Sequence, residues 1–339
     1  MSMLRESYFP DNHQTKINSR ILLRVFKVSL TFIFLLGFMS AQKEISLAVI
    51  VAFWVLWLMG NMVTRGWGEP ERGLFLTVYC CSVIVTLLLY IFLDYYYGAP
   101  YYKGGSDDLA YEHWGKIIAS AIDIFEYGSI GGNILPENHN SIGYAYLVSL
   151  LFRWSEFLGG FNTLVPRLLN SFALSLIAVL TYRLGKQNGL ASSTSLYVAY
   201  FIGFAPLMLH YAGYTLRDIL LSLLTIMVVY LWSISAREMV FYERILNWIL
   251  TFAVVGIVSQ MRLAQAIGLI GIAWVGDILV SKPKLLGLTK ANLYRWFIII
   301  ISILVLISLG AKVLELYEDI EGKVEGYTEH REEKSVRGG

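Results

Sequence analysis

The sequence predicts an all-α fold, a polytopic transmembrane helical bundle of about nine spans with its N-terminus inside and its C-terminus outside. Three observations predict it. Hydrophobic residues make up 56% of the 339 and charged ones only 15%, which with a mean hydropathy of +0.58 lies outside the range of soluble domains. Apolar runs close to the ~20 residues that cross a bilayer recur along most of the chain, and backbone exposed to lipid must be helical to satisfy its own polar groups. Cations also collect at alternate breaks between these runs.

In order, the runs predict helices over Leu22–Ala41, Ile45–Val63, Leu74–Leu93, Leu168–Tyr182 and Ala191–Leu209. Ile219–Ser235, Ile245–Val258, Leu263–Val280 and Leu293–Gly310 complete the set. The first run follows a polar, mixed-charge start without a small-residue cleavage site, so it reads as a retained anchor. With the N-terminus inside, Arg24, Lys27, Arg65, Arg72, Arg183, Lys186 and the Lys282 to Arg295 cluster all fall on the cytoplasmic side. The stretch Asp94 to Pro166 is then a large outer loop. Within it, Ile142–Leu158 is apolar but carries Arg153 and Glu156, and counting it as a span would turn the later cationic loops outward. It reads instead as a helix lying in the outer interface, where Tyr144, Tyr146 and Trp154 suit the depth.

Three regions follow: residues 1–73, an N-terminal segment and two-helix hairpin; 74–311, a membrane core with outer loop 94–166; and 312–339, a polar tail mixing Glu with Lys and Arg. The formal charge of +2, without a basic tract interleaved with aromatics, excludes a nucleic-acid partner. Cys80 and Cys81 are adjacent within an apolar run and have neither disulfide-framework nor zinc-ligand spacing.

The outer loop holds the densest candidate chemistry. In Gly104-Gly-Ser-Asp-Asp-Leu-Ala-Tyr-Glu-His-Trp114, a helix starting after Ser106 puts Asp108 and Glu112 on one face and Asp107 with Tyr111 on a neighbouring one. Two carboxylates at that spacing repel unless a cation, a metal or an acid of raised pKa lies between them. The same residues also make an ordinary capped helix N-terminus, with acids favoured by the dipole. A second polar island, Pro206 to Asp218, brings His210, Arg217 and Asp218 to the outer side; there an acid at a helix start and a snorkelling arginine are ordinary anchors. A third, Ser259-Gln-Met-Arg262, adds another arginine there. Together the islands have the composition of an anionic-headgroup site.

In these features the chain resembles the GT-C superfamily of membrane glycosyltransferases, the group of dolichyl-phosphate-mannose protein mannosyltransferases and lipid A aminoarabinose transferase. The resemblance runs from about Tyr90 to Val280. It rests on the order of Gly104 to Tyr111, the span opened by Pro166-Arg-Leu-Leu-Asn170 and closed by Tyr182-Arg-Leu-Gly185, and Pro206 to Asp218. The chain departs from many relatives in having two spans before the one that leads into the acidic loop and in stopping soon after the ninth.

The resemblance implies a sugar donor linked through phosphate to a polyprenol, transfer with inversion to a glycan, lipid or protein acceptor, and an active site facing outward from a membrane such as the bacterial inner membrane. Because a lipid phosphate leaves readily, one carboxylate acting as base suffices. Asp107 or Asp108 fills that role, with Asp107 favoured because the family's key acid follows the small-residue turn. Arg262, Arg217 or Lys103, with Asp218, Tyr111 and His210, would bind the donor's phosphate and sugar; a divalent magnesium or manganese held by Asp107, Asp108 and Glu112 is an alternative to the cations. Two rival functions are a polysaccharide polymerase or ligase, and a lipid or glycan transporter. Against transport, the span centres are apolar and no inverted pair of broken helices is evident.

Overall fold

The computed structural model describes residues 12–42, 46–101, 107–120, 141–235 and 241–280, and these are helical with no strand among them. Among the described residues four helices are long and apolar enough to cross a membrane, and a bent pair raises this to five. They are α1 (Asn12–Ala41), apolar from Ile21, α2 (Leu47–Arg65), α3 (Glu69–Tyr97) and α6 (Leu164–Gln187). Between α3 and α6 lie α4 (Asp107–Ser120) and α5 (Ile142–Glu156). The bent pair is α7 (Ser192–Gly203) and α8 (Pro206–Ala212), followed by α9 (Asp218–Ser235), α10 (Phe241–Met261) and α11 (Leu263–Val280). Of the nine runs read as spans, eight fall on helices, and Leu293–Gly310 lies outside the described residues, as does the tail 312–339. At 15 residues, or about 22 Å, α5 is too short for a ~30 Å hydrocarbon core, in keeping with its exclusion from the spans.

The chain divides into two compact units, one made of Met1–His113 and Val148–Leu223, the other of Trp114–Leu147 and Leu224–Gly339. In the first, α3 and α6 form the central pair, and α1, α2, α7 and α8 pack around them. Local chemistry sets the limits of α3. Gly68 enters it at φ 141° with Pro70 in the first turn and Glu69 and Glu71 on the positive end of the dipole. Gly98 ends it at φ 71°, a left-handed cap whose N–H donates to the Asp94 carbonyl at 2.9 Å.

Small residues and single polar contacts join the helices, as expected where lipid removes any hydrophobic drive between them. A Cβ on Gly60 would sit 1.8 Å from the Phe75 ring, so α2 and α3 approach closely only because Gly60 has no side chain. Tyr79 donates to the Phe53 carbonyl at 3.1 Å, and the hydroxyls of Thr86 and Ser171 meet at 3.2 Å between α3 and α6. In the second unit, Trp248 packs with Trp232, Ile245 and Phe252, and Gln265 donates to the Thr225 hydroxyl at 2.6 Å.

One expected span is broken. Ala191–Leu209 reads as one apolar run, yet α7 and α8 meet at 51°. Pro206 is the cause: it has no N–H to continue the α7 ladder, and it forces the preceding Ala205 out of the helical region, to φ −56° and ψ 124°. Transport folds use broken helices in symmetric pairs, and the described residues hold a single bent pair.

Candidate functional site

At the end of the first unit where α3 finishes and α6 begins, ionisable side chains are buried together. Arg167, on the first turn of α6, is fully buried, as are Asp108 at 1% and Glu112 at 5% exposure on α4. An Arg167 Nη lies 3.9 Å from an Asp108 carboxylate oxygen. The same guanidinium donates to the Pro100 carbonyl and lies 5.7 Å from the centre of the Tyr90 ring. Arg167 is thus the cation that the Asp108 and Glu112 spacing calls for.

Glu112 accepts hydrogen bonds from three hydroxyls carried by three separate segments. Tyr101, after α3, and Thr215, before α9, each donate at 2.8 Å, and Thr163, before α6, completes the set. Asn170, one turn into α6, holds the Thr215 segment by donating to the carbonyls of Tyr214 at 2.8 Å and Leu216 at 2.9 Å. Burial raises the Glu112 pKa above its ordinary 4.5, while the three hydroxyls and Arg167 pull the other way. Burial, then the Glu112 charge beside it, pushes the Tyr101 phenol up as well.

The folded chain holds the Glu112 proton more tightly than the unfolded chain, so the group's contribution to stability is full below about pH 4.5 and is lost as pH rises through the higher folded value. Glu112→Gln keeps the shape and removes the charge. Its melting temperature in detergent should therefore gain on the parent's as pH rises from 4 to 8, and parallel curves would contradict the assignment.

The expected site residues separate into groups. Asp108 and Glu112 share the buried face as their spacing predicts, Tyr111 is buried at 4%, and Asp107 is exposed. Asp218 opens α9 half-buried, next to Arg217. His210 is exposed on α8 with its ring edge-on to Tyr214 at 4.8 Å. Arg262 is exposed in the second unit, between α10 and α11. Lys103 and the Gly104 to Ser106 turn lie outside the described residues.

Among the described residues no three His, Cys, Asp or Glu side chains group as metal ligands. Asp107 is exposed, whereas Asp108 and Glu112 face a guanidinium and Glu112 already accepts from three hydroxyls, so this trio does not suit a divalent ion. The sequence reading gave no role to Arg167, Thr163 or Thr215, and it offered Tyr101 only as one of several aromatics that could stack on a sugar or prenyl chain. A signal for Arg167 was present, since it follows Pro166 at the head of an apolar run, where an ionisable residue is a functional candidate by default. Comparison with family models, with curated proteins and with solved structures finds no match to the chain.

Proposed function

We propose that the chain is a membrane glycosyltransferase that moves a sugar from a polyprenyl-phosphate donor to a glycan, lipid or protein acceptor. One observation carries this reading: a buried Arg167–Asp108–Glu112 network lies where the acidic loop meets the bundle, and beside it, at the first position of α4, stands the exposed carboxylate of Asp107. Ionisable groups buried in an otherwise apolar helical bundle are costly, which marks the place as functional.

Asp107 takes the proton from the acceptor hydroxyl. The acceptor oxygen bonds to the anomeric carbon from the face opposite the phosphate, the carbon–oxygen bond to phosphate breaks, and polyprenyl phosphate leaves with the electron pair. Arg217, in the same unit as Asp107, is the arginine suited to the departing phosphate. Arg167, fully buried and joined through one nitrogen to Asp108 and Pro100, is a positioning residue that fixes the start of α4.

The nine-span, N-inside arrangement belongs to the same proposal. Within the first unit it is supported by the separation of charge along α3, about 43 Å long, with Arg24, Arg72 and Glu69 at one end and the Arg167 network at the other. The decisive assay supplies the purified protein in detergent with polyprenyl-phosphate sugars and measures release of polyprenyl phosphate and labelling of acceptor. Single-sugar transfer supports the reading; chain lengthening makes the protein a polymerase, and no turnover with any donor rejects both. Thiol labelling of Ser281→Cys in sealed cells should fail from outside, and labelling there would overturn the topology.

A further inference from the structure

The opposite end of the first unit, away from the carboxylate network, contains a groove of about 640 Å³ between α1, α2 and the start of α3. Its size falls among those of small-molecule sites, about 300–1,000 Å³. Three arginines line it, Arg24, Arg65 and Arg72, against one carboxylate, Glu69. Glu69 bridges Arg24 and lies 3.3 Å from Arg72, so its charge is already shared. The lining therefore carries a net charge of +2, from three cations and one anion.

The hydrogen-bonding inventory has the same sign. The indole N–H of Trp57 and the Nε of Arg72 are buried with no hydrogen-bond partner among the described residues, and both residues line the groove. The amide donor of Asn61, also in the lining, is already taken by the Trp57 carbonyl at 2.9 Å, so the open donors are those of Trp57 and Arg72. An occupant with many acceptors, no donors and negative charge satisfies these groups together. A phosphate has that chemistry.

The remaining walls show what the phosphate is attached to. Ile21, Val25, Leu58 and Met62 line the groove and are 52%, 58%, 50% and 76% exposed, on helices long and apolar enough to stand in lipid. A soluble anion would leave these faces unused. We infer that the groove between α1, α2 and α3 binds an anionic glycerophospholipid, its phosphodiester held by Arg65, Arg72 and Trp57 and its acyl chains lying along Ile21, Val25 and Met62. The site lies at the end of the first unit remote from Asp108 and Glu112 and does not depend on the proposed transferase activity.

The test is native mass spectrometry of the full chain released from detergent after titration with phosphatidylglycerol, phosphatidylcholine or inorganic phosphate. Phosphatidylglycerol should be retained in preference to phosphatidylcholine, and phosphate at millimolar concentration should not displace it. Arg65→Gln removes an exposed cation that holds no ion pair among the described residues, so folding is not at stake, and it should weaken retention about fivefold, with Arg65→Gln/Arg72→Gln losing roughly twentyfold. Glu69→Gln should raise it. Equal retention of the two lipids, unchanged retention by Arg65→Gln, or displacement by phosphate would each overturn the inference. Because no sugar donor enters the assay, a failed transferase reading leaves its outcome untouched.

Discussion

Replacing Asp107 with Asn should abolish transfer while leaving the fold intact, lowering the turnover rate by about 10²–10⁴-fold. The size follows from the role: a positioned base contributes that much, and an amide at the same place cannot take the proton. The tolerance follows from burial. Asp107 is exposed, and a substitution at such a surface position changes stability by about ±0.5 kcal/mol or less. Asp108→Asn makes the contrast, because its carboxylate is 1% exposed and faces Arg167, so stability and activity should fall together there. Release of polyprenyl phosphate, measured beside the melting temperature, separates the two. Full turnover by Asp107→Asn would remove the base from this residue.

Arg167→Met should be the most destabilising single change in the first unit. The guanidinium is fully buried, and its loss leaves Asp108 and Glu112 inside the bundle without their cation. Breaking a buried pair in this way costs about 3–5 kcal/mol, because the surviving charge has neither water nor partner. For a chain of 339 residues that lowers the melting temperature by roughly 4–7 °C. The double variant Arg167→Met/Asp108→Asn should recover part of the loss, since removing both members of a buried pair is often close to neutral. A double variant no better than the single would show that Arg167 stabilises by packing on Tyr90 and by its bond to the Pro100 carbonyl, not by charge.

Spacing within one helix carried the legible part of the site. Asp108 and Glu112 are four residues apart, so a helix must put them on one face, and two carboxylates there call for a cation, a metal or a raised pKa. Which cation was not legible, because Arg167 lies in another helix and no local pattern records which helices become neighbours. The hydroxyls on Glu112 were hidden for the same reason, their partners lying 11, 51 and 103 residues away. The separation of Asp107 from Asp108 is visible only in outline: neighbours on a helix point about 100° apart, but burial decides which one keeps access to solvent. For the fold, apolar runs locate helices well and breaks poorly. The α7–α8 bend was written in Pro206, within a run whose hydropathy continues across it.

The three hydroxyls on Glu112 also set an order of assembly. Tyr101 precedes the acid in the chain, while Thr163 and Thr215 are made 51 and 103 residues later. At ordinary synthesis rates the last donor follows Glu112 by about 5–20 s. During that interval the carboxylate cannot be enclosed with all three of its donors in place. The network therefore closes only when the chain has been made as far as Thr215, and its closing joins α4 and α6 to the segment that leads into α9.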